Sequence, residues 1–319
     1  MNEKIALIGG AGFIGKAVSS NLLNKELEHV IFDKKNNSKS VIYIDIEEPR
    51  TLEKLKGFTT IINLAAEHKD DVRPMSRYQD VNVIGSQNLI NAAEKFNIKN
   101  IIFLSSVAVY GFSETELNEE SKINYFNEYG RTKYLAEKSY QTWFKKNNNS
   151  KKLIIIRPTV VFGEGNRGNV YNLISQIQKK RFLMIGSGKN KKSMAYVDNL
   201  SEFIIHSLSF RDGYHLFNYA DKPDLSMNEL VIFIKERLNL KPKIYIRLPR
   251  FFGILVGYLF DLISFCFRKN LPISSIRISK FLNSSIINIK NNHDFIPPYS
   301  LKDALNETIK NDFLEKEDL

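Results

Sequence analysis

Lys4-Ile5-Ala6-Leu7-Ile8-Gly9-Gly10-Ala11-Gly12-Phe13-Ile14-Gly15 decides the fold. A short apolar strand runs directly into glycines at 9, 12 and 15, and the residues from Phe13 toward Asn24 read as a helix. Glycines permit a tight turn and a close backbone approach to a pyrophosphate, which the amide end of the helix then stabilises. A glycine run alone is weak evidence. Here a second strand, Val30-Ile31-Phe32, ends in Asp33 about twenty residues on, where a ribose-binding carboxylate is required. Gly9, Gly12, Phe13, Ile14, Gly15 and Asp33 are therefore the expected cofactor cradle. Asp33 can accept hydrogen bonds from the adenine ribose and would repel a 2′-phosphate, so NAD is favoured over NADP. Lys34 and Lys35 beside it read as a solvated turn.

Outward from that turn the chain alternates strands and helices. Val41 to Ile44 is a strand leading to Asp45-Ile46, and Thr60 to Ala66 is a buried strand whose small terminal residues, Ala65 and Ala66, would let a cofactor pass close. Asn100 to Leu104 delivers Ser105 and Ser106. Tyr129-Gly130-Arg131-Thr132-Lys133 then places a phenol and an ammonium at i and i+4 on one helix face. A free phenol ionises near pH 10, and an adjacent ammonium favours the phenolate. With Ser106 bonding the same substrate oxygen, the three form a candidate alcohol/ketone site. In isolation Tyr-x-x-x-Lys is more often a pair of surface neighbours.

At 319 residues the chain can build a large two-lobed domain. The N-terminus has none of the basic and apolar regions of a secretion signal, so the cytoplasm is the expected compartment. A single cysteine, Cys266, excludes an internal disulfide and a thiolate metal cluster, and the five histidines lack ligand spacing, so no metal is expected. Much of the +11 formal charge is local: between Lys241 and Lys290, nine cations face Asp261 alone, leaving +8. That segment also holds the most apolar run, Phe251 to Phe267. Basic charge flanking apolar surface suggests an anionic membrane face more than nucleic acid, for which there is no module.

Within Phe251 to Phe267, Gly253, Gly257, Asp261 and Ser264 fall on one narrow helical stripe, and the other thirteen residues are apolar or aromatic. Seventeen residues span about 25 Å, short of the roughly 30 Å hydrocarbon layer. The expectation is a helix at the membrane interface whose small stripe packs on protein. A buried helix with that stripe facing solvent is the alternative.

The glycine loop, Ser106, Tyr129 and Lys133 together resemble the extended branch of the short-chain dehydrogenase/reductase superfamily. That resemblance implies an α/β fold: a Rossmann-like doubly wound parallel sheet with a smaller C-terminal substrate lobe. It implies a nucleotide domain over 1–160, rejoined by about 196–217, and a substrate lobe from 161–195 and 218–319. It sets Asp45 and Ile46 against the adenine, His68 near the nicotinamide, and Asn82 as a brace inside the long helix after Arg73. Ser105, Pro158 and Val160 would also line the cofactor. Simpler readings exist: Asp45 as a turn residue, His68 as a solvated loop histidine, Asn82 as a helix kink.

Longer runs narrow the likeness. Ala65-Ala66-Glu67-His68 with Asp70-Asp71-Val72, Ser105 to Gly111, Arg157 to Ile174, Lys192 to Asn199 and Asn218 to Asp224 look like the bacterial polyprenyl-diphosphate N-acetylglucosamine 4-epimerases. These act on undecaprenyl-linked sugar in surface-polysaccharide (O-antigen) assembly. Related dehydratases carry an acidic pair after the catalytic hydroxyl residue; Val107 and Ala108 stand there in this chain, which disfavours dehydration. The resemblance makes Ser106, Val107, Asn169, Lys192 and Arg277 substrate candidates, Lys192 standing where nucleotide-sugar epimerases place a diphosphate-binding arginine. Asn169 could instead be a helix cap. A membrane surface and a homodimer are implied partners. A soluble UDP-N-acetylglucosamine or UDP-glucose 4-epimerase, a membrane-associated hydroxysteroid-type dehydrogenase and a non-catalytic NAD-binding scaffold remain alternatives.

Overall fold

The computed structural model describes residues 3–35, 38–69, 72–113, 115–146, 150–267, 282–289 and 294–315. Its first half alternates as the apolar pattern requires: β1 (Ile5–Ile8), α1 (Phe13–Asn24), β2 (His29–Asp33), β3 (Val41–Tyr43) and β4 (Thr60–Asn63). A helix follows in three parts, α2 (Ser76–Tyr78), a π-helical stretch Gln79–Ile84, and α3 (Gly85–Lys95). Then come β5 (Asn100–Leu104), α4 (Glu128–Lys146) and β6 (Lys152–Pro158). After β6 the chain makes β7 (Val160–Phe162), α5 (Asn169–Gln178), β8 (Met184–Ile185), β9 (Lys191–Tyr196), α6 (Val197–His206) and β10 (Gly213–Tyr219). It continues with β11 (Asp221–Ser226), α7 (Met227–Arg237), β12 (Arg247–Leu248), α8 (Arg250–Phe267) and α9 (Leu301–Ile309), which runs on into a π-helical stretch Lys310–Leu314.

Seven parallel strands form the main sheet in the order β3-β2-β1-β4-β5-β6-β10. Because the chain leaves β1 in one direction and returns on its other side, a crevice opens at the carboxyl ends of β1 and β4, where a doubly wound sheet binds its ligand. The strands read as nearly unbroken apolar runs because helices cover both faces, and β1, β4 and β6 are buried throughout. The Thr60–Ala66 run is strand only to Asn63; Leu64, Ala65 and Ala66 are half-buried and already belong to the crevice.

A second core gathers Phe162, Ile174, Met194, Leu230, Ile234 and Leu305 from α5, β7, β9, α7 and α9. β9 is central there, antiparallel to β11 and parallel to β7. α8 lies outside this core. Gly253 and Gly257 are buried, and a Cβ on Gly253 would come 2.5 Å from Cγ2 of Ile185, so the small stripe is what lets α8 seat on β8. The reverse arrangement, with the stripe toward solvent, does not occur. No helix among the described residues is long and apolar enough to cross a membrane.

Candidate active site

The cradle at the end of β1 is defined by close approaches. Gly9 has φ +77°, and the amides of Gly9 and Gly10 both donate to the Phe32 carbonyl, at 2.8 and 3.2 Å. A Cβ at Gly9 would lie 2.8 Å from the Ala65 nitrogen, and one at Gly15 would lie 2.4 Å from the Gly9 oxygen. Neither position admits a side chain. Gly12 precedes α1 and makes no side-chain cap, so the first helical amides and their partial positive charge face the crevice bare, as a pyrophosphate requires. Asp33 accepts from the Ala11 amide (3.1 Å) and the Lys35 amide (2.9 Å), which fixes its carboxylate beside the turn. These residues fit a dinucleotide. Phe13 and Ile14 open α1 half-buried, packing toward the second core.

Other expected cofactor residues vary in their local role. Asp45 accepts from the Glu47 amide at 3.0 Å, so its carboxylate also shapes its own turn. Ile46 is buried against α3, where a Cβ on Gly85 would come 2.6 Å from its Cδ1, and its carbonyl accepts from Asn88. His68 is exposed, with its backbone amide donating to the Glu67 carboxylate at 3.1 Å. Pro158 is buried at the end of β6, whereas Val160 is exposed at the start of β7. Asp70 and Asp71 lie outside the described residues.

Asn82 is more than a kink. Its amide donates to the Glu67 carbonyl and to Thr132 Oγ1, each at 3.0 Å, while its oxygen accepts from the Glu67 amide at 2.9 Å. It thereby ties the loop after β4 to α4, next to Lys133. Ser106 accepts from the Ala108 amide at 3.2 Å and caps the single turn Val107–Val109. α4 packs against that turn so closely that a Cβ on Gly130 would fall 2.4 Å from the Ala108 oxygen. Gly130 thus brings the first turn of α4, with half-buried Tyr129, onto the half-buried loop carrying Ser106.

Lys133 is 2% exposed, with its ammonium 4.1 Å from the centre of the Phe103 ring. Burial pulls its pKa down to about 7, against the opposing pull of Glu137. Glu137 follows one turn later on the same face of α4, and sequence reasoning missed it. Its carboxylate takes Arg157 Nε (2.8 Å), Arg157 Nη2 (2.5 Å) and the Ser105 hydroxyl (2.5 Å). Arg157 also donates to Tyr110 at 2.6 Å, and Tyr110 to Asn218 at 2.8 Å. Ser105 is thus buried in this network, its hydroxyl donating to Glu137. The i, i+4, i+8 spacing of Tyr129, Lys133 and Glu137 on a buried face was the available signal.

Among substrate candidates, Lys192 on β9 donates to the Asn283 carbonyl, and burial lowers its pKa to about 8. Val107 packs with Val109, Tyr110 and Ile287 beside Ser106. Asn169 is the exposed first residue of α5, and the capping position belongs to Gly168. Arg277 lies outside the described residues.

Residues 5–220 match the model of the NAD dependent epimerase/dehydratase family. The chain is 41% identical, over 100% of its own length and 98% of the other's, to the N-acetyl-alpha-D-glucosaminyl-diphospho-ditrans,octacis-undecaprenol 4-epimerase of Escherichia coli O157:H7. It is 26% identical, over 97% of its length and 95% of the other's, to the UDP-glucose 4-epimerase of Vibrio cholerae. The Thermus thermophilus UDP-glucose 4-epimerase, solved with NAD, superposes with a TM-score of 0.74 at 18% identity, covering 97% of this chain and 98% of that one.

Proposed function

This chain belongs to the NAD dependent epimerase/dehydratase family, and from that membership we propose that it interconverts N-acetylglucosamine and N-acetylgalactosamine on undecaprenyl diphosphate during surface-polysaccharide (O-antigen) assembly. Its cofactor is NAD. One observation carries the choice of substrate: the end-to-end match to the lipid-linked epimerase, at 41% identity, against 26% for the UDP-glucose enzyme.

The cradle at Gly9, Gly12 and Gly15, with Asp33, would hold the cofactor. A cofactor held there would supply reversible hydride transfer at the sugar C4. Tyr129 takes the proton from O4 as the 4-keto sugar forms and gives it back as the inverted alcohol forms. Lys133 favours the phenolate, and Ser106 donates to the same oxygen, holding it over Tyr129. Lys192 retains the diphosphate while the keto sugar turns about that linkage. Asn82, Thr132 and Gly130 keep α4 in register with the loops on which this depends.

Residues 1–160 with 196–217 serve as the nucleotide domain, and 161–195 with 218–319 as the substrate lobe; the second core around β9 supports that division. α8 rests on the cytoplasmic face of the inner membrane. Phe251, Leu255 and Tyr258 are 71%, 62% and 63% exposed, with Phe252 and Leu259 beside them and exposed Lys241 and Lys243 nearby. Each such cation contributes about 1 kcal/mol at an anionic leaflet. A homodimer through the helices after Arg73 and Glu128 would bring the groove between α3 and α4, lined by Val83, Gln87, Leu135 and Lys138, against its copy, and sedimentation at micromolar concentration tests it.

The deciding assay offers purified protein N-acetylglucosaminyl diphosphoundecaprenol and UDP-N-acetylglucosamine side by side. Turnover of the lipid-linked sugar without net NADH formation is expected. Exclusive turnover of the nucleotide sugar, or net reduction of added NAD⁺, would reject the reading.

A further inference from the structure

We infer that Arg250, the first residue of α8, is a second diphosphate-binding residue, holding the phosphate on the lipid side of the substrate. The inference rests on the function proposed above. A substrate made of sugar, diphosphate and polyprenyl tail needs three kinds of surface in that order, and one short segment connects them here.

Residues 283–288 run from the foot of α8 to the catalytic loop. At one end Asn283 takes both cations: its carbonyl accepts from the Lys192 ammonium, and its side-chain oxygen accepts from Arg250 Nη2 at 3.1 Å. In the middle, Ser285 bridges β9, exchanging hydrogen bonds with Lys191 (3.0 Å) and Ser193 (2.8 Å). At the other end the Ile287 amide donates to Ser193 Oγ at 2.9 Å, and its side chain packs on Val109 and Tyr110, in the loop that Ser106 caps. The order is therefore Ser106, Lys192, Arg250, and then at once the exposed apolar residues Phe251, Phe252 and Leu255.

The chemistry of the two cations also differs. A lysine at 192 gives the diphosphate a point charge and no planar fork. Arg250 restores the fork, and its present partner is a neutral amide oxygen that a phosphate oxygen readily displaces. Arg247, three residues earlier, is already committed to the Ser187 carbonyl and the Asn228 side chain, at 2.8 and 3.0 Å.

The test uses NAD-loaded full-length protein and N-acetylglucosaminyl diphosphate carrying a short, water-soluble prenyl chain, with no vesicles present. Arg250→Gln is expected to raise KM for this probe roughly tenfold, as loss of one charge-assisted contact does, and to weaken inhibition by inorganic pyrophosphate to a similar degree. kcat and bound NAD should stay within about twofold, and Arg250→Lys should recover part of the affinity. An unchanged KM and unchanged pyrophosphate inhibition in Arg250→Gln, with the wild type active on the probe, would overturn the assignment of Arg250 alone. An Arg250→Gln defect seen only on vesicles would also overturn it, leaving the residue a membrane contact. A wild type inactive on the probe but active on UDP-N-acetylglucosamine would overturn the proposed function itself.

Discussion

Beside α4, charged side chains are buried: Lys133, Glu137 and Arg157 are 2%, 0% and 3% exposed, Glu137 is paired with Arg157, and every hydrogen bond of the Glu137 carboxylate is internal. Along α8 the polarity is reversed. Phe251, Leu255 and Tyr258 stand in the open, while the glycines of the same helix are buried. A buried ionic network survives only where geometry is fixed, because each charge left without its partner is costly. An exposed apolar face indicates an environment outside the chain that completes it. Under the proposed function the two regions would divide the work: one would hold reacting atoms in place, and the other would bring a lipid-linked substrate to them.

The contrast breaks first at Tyr129. Tyr129→Phe should lower the epimerisation rate by roughly 10²–10⁴, about 3–5 kcal/mol of activation free energy, with bound NAD unchanged. Steady-state rates check this, and a variant that kept most of its activity would remove the phenol from the chemistry. Next comes the pair behind it. Glu137→Gln leaves the Arg157 guanidinium buried without its carboxylate and should cost about 3–5 kcal/mol in urea unfolding, whereas Glu137→Met with Arg157→Met should recover much of that. If both variants lost the same amount, the pair would be packing rather than paired charge.

On α8 the expected sign differs. Phe251→Ser, Leu255→Ser and Tyr258→Ser together should leave unfolding within about 1 kcal/mol of the parent, since exposed positions contribute little. The same variant should lose affinity for vesicles containing anionic lipid by roughly 1.5–3 kcal/mol for each side chain no longer buried in the interface. Co-sedimentation measures the second effect; strong destabilisation in solution would mean that the face packs inward.

The last test is a slope. With the Lys133 pKa drawn from its ordinary 10.5 to about 7, folded and unfolded protein both hold this proton below pH 7, and burial of the charge weighs fully on stability. Above pH 7 the folded state sheds it while the unfolded state retains it. Stability from this group therefore rises with pH toward 10.5, at most about 1.4 kcal/mol per unit. Lys133→Met should flatten that part of the pH profile of unfolding; a slope identical to the parent's would place the titration elsewhere.

Much of the cleft was legible in the sequence because its determinants are local. The Gly9 turn, the carboxylate at Asp33 and the i, i+4 pair Tyr129 and Lys133 each lie within one strand, turn or helix face. Less legible were residues whose partners are remote. Asn82, a brace only by family resemblance, joins Glu67 to Thr132, and Arg157 joins Glu137 to Tyr110; neither set of partners can be read from the neighbouring sequence. Gly130 reads as an ordinary helical glycine until the Ala108 carbonyl is seen against it.

The sequence by itself determined the doubly wound sheet, the glycine turn after β1 and the face of α4 that carries Tyr129 and Lys133, since side-chain period and glycine placement act over a few residues. It also determined that α8 would be amphipathic in an unusual sense, small on one side and apolar on the other. Tertiary structure alone decided which side faces inward, because Ile185 fits only against a glycine, and it alone brought Lys192 and Arg250, 58 positions apart, to the same asparagine. Contacts of that kind form when separate elements pack, and their free energy depends on shape and distance that no local pattern encodes.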